Sequence, residues 1–250
     1  MNLIYYFTGT GNSLQIANDL SCGLDNSNVR KISEYKGEYI NSNTLGIVFP
    51  VYCLGLPLIV SNFLNKLNVA NNTYVYVVAN CAKMEGMVLQ QCNNILSKRK
   101  INLSSGFVIH MPGNYIVLYN VIPEKKQKEL FAKEFIKVTE IIEIVNNRSN
   151  IEIKKANFLN TILHKLIYKN GISSFPKGDK YFSASDSCNS CKLCVSRCSV
   201  NNITMIRNKP KWNHKCQMCF SCINSCPTKA IDYQARTKKR NRYLNPNVKL

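Results

Sequence analysis

The 250-residue chain is short of acid and of histidine: 14 aspartates and glutamates stand against 33 lysines and arginines, with three histidines. No apolar run reaches the 18 or so residues that a membrane-spanning helix needs. Met1 leads straight into Asn2-Leu3-Ile4-Tyr5-Tyr6-Phe7, without the basic stretch that opens a secretory leader. A cytoplasmic location is therefore expected, and with it reduced thiols. There is no nucleotide-binding fingerprint of the common kinds. The glycines after the first apolar run are followed by no P-loop lysine, and the third glycine of a dinucleotide loop is missing. No nucleic-acid-binding motif is visible and the basic residues are not interleaved with aromatics, so nucleic acid is not an expected partner.

Cysteine, in contrast, is abundant and ordered. Cys188, Cys191, Cys194 and Cys198 read C-x2-C-x2-C-x3-C, and Cys216, Cys219, Cys222 and Cys226 repeat the pattern, followed by Pro227. The spacing resembles that of bacterial two-cluster ferredoxins, where each run gives three ligands to one 4Fe–4S cluster and its fourth cysteine to the other. The resemblance implies one cluster on Cys188, Cys191, Cys194 and Cys226, and a second on Cys216, Cys219, Cys222 and Cys198. Structural zinc favours two well-separated CxxC pairs, and disulfide frameworks belong to short secreted chains, so both alternatives fit less well. Ser199 follows Cys198 where proline is usual; that proline is a turn residue and not a ligand, so a wetter or looser surrounding is expected rather than loss of the site. Cys22, Cys53, Cys81 and Cys92 are scattered and read as free thiols.

The first half of the chain alternates two periods. Strands are expected at 2–7, 28–32, 44–49, 73–80 and 105–110, and helices at about 12–23, 57–66, 85–99 and from Pro123 to Asn147. A further apolar helical stripe runs over 154–170, with Gly171 as its stop. Alternating strands and helices argue for an α/β fold with a doubly wound, five-stranded parallel sheet covered on both faces. Ligands of such sheets bind beyond the carboxyl ends of the strands.

Four loops lie at those ends. Thr8-Gly9-Thr10-Gly11-Asn12-Ser13 offers backbone N–H groups, hydroxyls and a helix N-terminus together, which is what a terminal phosphate requires. Pro50-Val51-Tyr52-Cys53-Leu54-Gly55-Leu56-Pro57 supplies Tyr52, able to lie flat on a planar ring, and Gly55, which lets the backbone approach it. Asn80, Cys81 and Ala82 follow the fourth strand, and Met111 to Tyr115, with Asn114, follow the fifth.

These segments, taken with the cysteine runs and with Arg242-Tyr243-Leu244-Asn245-Pro246, resemble the flavodoxin–ferredoxin fusion proteins of anaerobic bacteria over nearly the whole chain. The resemblance implies a flavodoxin-like FMN-binding domain at 1–150 with strand order 2-1-3-4-5 and a helical linker at 151–178. A small α+β two-cluster ferredoxin domain at 179–235 and a basic tail at 236–250 would follow. It implies two 4Fe–4S clusters and FMN as cofactors. The FMN contacts would be Thr8, Gly9, Thr10, Gly11, Asn12, Ser13, Pro50, Val51, Tyr52, Cys53, Gly55, Asn80, Cys81, Ala82 and Asn114.

Charge separates the halves: residues 1–150 carry a net +4 and residues 151–250 a net +15. Such a face can steer an acidic redox partner, or be a solvated lysine-rich surface. The implied function is low-potential electron transfer between the clusters and FMN. The alternative is an FMN-dependent reductase of a small molecule fed through the clusters; Tyr52, Lys83, Glu85 and Asn114 are then the candidates near the flavin. An iron–sulfur sensor would need a binding element that the sequence lacks.

Overall fold

The computed structural model describes residues 1–153 and 158–250. Its first half builds one parallel sheet. Strands β1 (Asn2–Tyr6), β2 (Ser27–Lys31), β3 (Thr44–Pro50), β4 (Tyr74–Cys81) and β5 (Leu103–His110) lie side by side in the order β2-β1-β3-β4-β5. All pairings are parallel, with Ile4 beside Val29 and Gly46, and Val77 beside Ile47. This is the flavodoxin-like strand order. Helices α1 (Asn12–Gly23), α2 (Leu58–Lys66), α3 (Val88–Lys98) and α4 (Glu124–Asn146) provide the crossovers and cover the sheet.

The two faces follow from the two-residue period of the strands. Leu3, Tyr5 and Phe7 point to the layer closed by Val60, Phe63 and Leu64 of α2 and Val88, Cys92 and Leu96 of α3. Ile4 and Tyr6 point the other way, to Ile16 and Leu20 of α1 and Val138, Ile141 and Val145 of α4. β4 is buried along its whole length, as a central strand covered on both faces must be. The expected strands and helices recur with end shifts of up to three residues. A short parallel pair, Tyr39–Ile40 with Asn68–Val69, stands outside the sheet; two-residue strands carry no readable period.

Helix α5 (Phe158–Ser174) overruns the expected stop at Gly171. The expected start at 154–157 lies outside the described residues. Gly171 is inside the helix because its bare Cα sits against Cys53: an added Cβ would stand 2.6 Å from the Cys53 sulfur. Here glycine marks close helix–loop packing rather than a helix end.

The cysteine-rich part contains two antiparallel pairs. β6 (Phe182–Ala184) pairs with β9 (Ile231–Tyr233), and β7 (Ile203–Ile206) pairs with β8 (Lys209–Trp212). Single-turn helices α6 (Leu193–Ser196) and α7 (Ser221–Asn224) follow the middle of each cysteine run. Phe182, Ile203, Trp212, Phe220 and Ile231 form a third core, completed by Ile116 and Val117 from the loop after β5. Among the described residues, no helix is long and apolar enough to cross a membrane. Cys92 and Cys81 are buried thiols and Cys53 is half-buried, whereas Cys22 is exposed.

One buried acid stands between α1 and α4. Glu134 is fully buried, and its Oε2 accepts from Gln15 Nε2 at 2.8 Å. Burial first, then the neighbouring Asp19, raise its carboxyl from 4.5 to about 8. The folded chain therefore keeps this proton through neutral pH while the unfolded chain has lost it. Its stabilisation is full below about pH 4.5 and disappears as pH rises through 8. The thermal midpoint should fall between pH 5 and 8, and Glu134→Gln should flatten that fall. An identical pH dependence in the variant would assign the slope to another group.

Candidate functional site

The loop Thr8–Ser13 leaves β1 and turns on Gly11 (φ 107°), whose N–H donates to Thr8 Oγ1 at 3.0 Å. Asn80 at the end of β4 donates to Ser13 Oγ at 2.7 Å, and Asn12 Nδ2 donates to the Pro112 carbonyl at 2.8 Å. The three loop ends thus converge, as the doubly wound topology requires. Val51 N–H joins them by donating to the Asn80 carbonyl.

The C-terminal segment fills what these loops surround. Tyr243 donates its hydroxyl to Asn12 Oδ1 at 2.6 Å. Asn245 Nδ2 donates to Asn12 Oδ1 (3.1 Å) and Gln15 Oε1 (2.7 Å), while its backbone N–H donates to the Thr10 carbonyl at 2.8 Å. Gln15 presents its oxygen to the tail because Glu134 takes its amide N–H. The root of the tail is tied by Arg242, which bridges Asp232 at 2.8 Å and donates to the Thr237 and Ile231 carbonyls. The Arg242–Pro246 motif is thus a clasp between the cysteine-rich part and the loop after β1.

Both glycines of that loop are covered. A Cβ on Gly9 would collide with the Cys219 carbonyl oxygen, which also accepts from Asn114 Nδ2 at 3.1 Å. A Cβ on Gly11 would stand 2.8 Å from Asn245 Cβ and 2.9 Å from Val248 Cγ2. Thr10 and Ser13 are buried. The residue types suit a flavin phosphate; in this conformation the tail and the Cys219 peptide lie against both glycines of the loop.

The remaining flavin candidates are also engaged within the chain. Tyr52, Cys53, Leu54 and Gly55 form a tight turn closed by mutual hydrogen bonds between Tyr52 and Gly55, with Cys53 and Leu54 left-handed (φ 48° and 63°). The Tyr52 ring meets Phe7 edge-on at 6.0 Å and Phe175 tilted at 6.1 Å, not face to face. Its hydroxyl is buried without a partner, and burial, with Cys219 and Cys216 beside it, pushes the phenol well above 10. Gly55 lies under Gln91 and Tyr168. Cys81 Sγ is 3.6 Å from His110 Nδ1, with burial and then Glu85 raising the thiol to about 11. Pro50 ends β3, and Ala82 is exposed beyond the polar network.

The cysteine runs share one backbone plan. Left-handed residues occur at Ser190, Lys192 and Asn201, and again 28 positions later at Met218, Phe220 and Lys229. These turns aim N–H groups back at sulfur: Met218 N–H donates to Cys216 Sγ and Asn202 N–H to Cys198 Sγ, both at 3.2 Å. Asp179, fully buried, accepts from His214 and Asn202 and fixes the approach to Cys216.

Two hollows result. Cys188, Cys191, Cys194 and Cys226 line one of about 310 Å3, including its open mouth. Cys198, Cys216, Cys219 and Cys222 line the other, of about 350 Å3. Each takes three cysteines from one run and one from the other. Among the described residues, no three His, Cys, Asp or Glu side chains gather closely enough to hold a single metal ion. Burial raises the Cys194 and Cys219 thiols to about 11, so ionised sulfur here calls for a compensating cation.

Sequence reasoning passed over Gln15 and Glu134, which orient the clasp, and Trp212, which lines the second hollow. Nothing local to Gln15 or Glu134 marks the other as its partner, because they stand 119 positions apart.

No family model matches the chain, and no curated protein matches it. Solved structures with partial likeness include a rubredoxin:oxygen oxidoreductase from the anaerobe Desulfovibrio gigas, 9% identical, covering 59% of this chain and 36% of that one, TM-score 0.39. The Trp repressor binding protein from Bacillus subtilis is 12% identical over 59% of this chain and 99% of that one, TM-score 0.37. An FMN-dependent NADH-azoreductase from Bacillus anthracis is 8% identical over 57% and 97%, TM-score 0.39. The chain thus spans about a third of the Desulfovibrio protein's length, and likeness at this level bears on neither cofactor nor substrate.

Gly9→Ala should destabilise the chain by about 1–3 kcal/mol, since its methyl must push back a peptide rather than a mobile side chain. Thermal unfolding tests this. An unchanged midpoint would mean that the Cys219 peptide does not press on the loop.

Proposed function

We propose that the protein is an electron-transfer protein carrying two 4Fe–4S clusters, one on Cys188, Cys191, Cys194 and Cys226, the other on Cys198, Cys216, Cys219 and Cys222. The observation behind this is the composition of the two hollows: each is ringed by four cysteines, three local and one from the other run. Buried donors without partners at the second hollow, Trp212 Nε1 and Ser199 Oγ, fit a sulfur-rich occupant. Such clusters pass single electrons. The residues of this chain hold them and set their electrostatics.

The two positions suggest a direction. Cys191 is exposed and Lys192 lies on the rim of the first hollow, so a redox partner meets that cluster first. The second hollow backs onto the flavodoxin-like sheet, where Gln217 Oε1 accepts from the Ile59 N–H at the start of α2. The +15 of residues 151–250, reduced by about two charges per oxidised cluster, favours an acidic protein as that partner. The units of function are the α/β domain at 1–150, the helical linker at 151–178, the cluster domain at 179–235 and the clasp at 236–250.

Anaerobically purified protein should contain about eight irons and eight sulfides per chain. Cys198→Ser and Cys222→Ser should each remove about half, and the double variant no more than either. Cys198→Ser with Cys194→Ser should remove nearly all. Additive loss from Cys198 and Cys222 would overturn the crossed assignment.

A second reading, an FMN-dependent reductase of a small molecule, draws on one observation: the phosphate-type loop stands at the carboxyl end of β1 and opens α1. It requires the clasp to leave. Truncation after Arg242, or Asn245→Ala, should then tighten FMN binding about tenfold or more, read by quenching of flavin fluorescence. Equal affinity with and without the clasp would remove this reading's conformational requirement, and no binding to any form would remove the reading.

A further inference from the structure

Nine buried side-chain polar atoms among the described residues have no hydrogen-bond partner within the chain, and two of them, Ser199 Oγ and Trp212 Nε1, are at the second hollow. Trp212 and Ser199 line it directly. Trp212 is 9% exposed, and its ring is held flat against Phe182, 5.5 Å away with planes 17° apart. Its indole nitrogen can only donate. Cys222 lines the same hollow.

The first hollow is built differently. The residue after Cys226, 28 positions on from Ser199, is Pro227, which lines the first hollow and has nothing to donate. Pro210, Met205 and Ile231 complete its apolar wall. Ser190, also on its rim, already donates to the Asn208 carbonyl at 2.6 Å. None of the residues lining it carries a buried unpartnered donor.

We infer that Trp212 and Ser199 are positioning residues of the second cluster: their N–H and O–H groups hydrogen-bond its sulfurs and raise its reduction potential. This rests on the cluster assignment above. A donor aimed at sulfur is attracted more strongly once the cluster has gained an electron, so it favours the reduced form. Proline in the equivalent place gives the first cluster no such help. The two clusters, bound by the same ligand pattern, are thereby made unequal.

The test uses the full chain with its clusters. Iron and sulfide are assayed first; wild-type protein without them would overturn the cluster assignment and this inference with it. Trp212→Phe keeps the ring on Phe182 and removes the N–H, and Ser199→Ala removes only the hydroxyl. EPR-monitored redox titration of each, at full iron content, should show one midpoint shifted to lower potential and the other unmoved. The shift should persist in a Cys188→Ser background, where the second cluster remains alone. Unmoved midpoints in both variants would reduce Trp212 and Ser199 to packing residues. Should Trp212→Phe lose iron, Ser199→Ala decides by itself. Trp212 is also the one tryptophan of the sequence. Its emission should be quenched when clusters are assembled in wild type and in Cys188→Ser, and restored in Cys222→Ser; quenching that follows the first cluster instead would overturn the placement.

Discussion

Each hollow has to borrow its fourth cysteine. Three sulfurs spaced two residues apart share one hollow, while Cys198, the last of the first run, lines the other. Neither ring can be complete unless both runs are folded and in register. The two antiparallel pairs, the left-handed residues repeated at 28-position intervals and the buried Asp179 network all serve that register. Non-glycine residues in the left-handed region are uncommon and mildly strained. Left-handed residues recur at Ser190, Lys192, Met218 and Phe220, and N–H groups are directed to sulfur at Met218 and Asn202.

The same part of the chain leans on the flavodoxin-like sheet through its most ligand-like feature. The Cys219 carbonyl rests on Gly9 while its sulfur lines the second hollow, so one residue touches both the loop after β1 and the ring of cysteines. The clasp completes the contact by donating to the acceptor oxygens of Asn12, Gln15 and Thr10. The sheet therefore serves here as a seat, whatever else its loops bind when the clasp is away.

Much of this was legible in the sequence, and the reasons are physical. Strands covered on both faces read as apolar runs and helices as 3.6-residue stripes. Each of the two hollows is lined by three cysteines of one run and one of the other. What stayed hidden depends on distance in the chain. Asn245 and Gln15 are 230 residues apart, and nothing local to either marks the other as its partner. Tyr52 has the right ring for stacking but is turned edge-on by Phe7. Gly171 looked like a stop because a glycine chosen for close approach and one chosen for a left-handed turn are the same letter. Ser199 looked like a small loss of rigidity, whereas its buried hydroxyl faces the second hollow.

Ile116 and Val117 belong by chain position to the α/β half, yet they are buried in the core beneath the cysteine rings. The cysteine-rich part is accordingly not a portable cassette. Cut out at residue 178 or 179, it would keep all eight cysteines of the two runs and lose two side chains from the floor on which they stand. A recombination event that moved it intact into another protein would have to find that floor anew. Insertions and deletions between β5 and α4, a loop that flavodoxin-like sheets could otherwise vary freely, are constrained in this chain by a core on the far side of the junction.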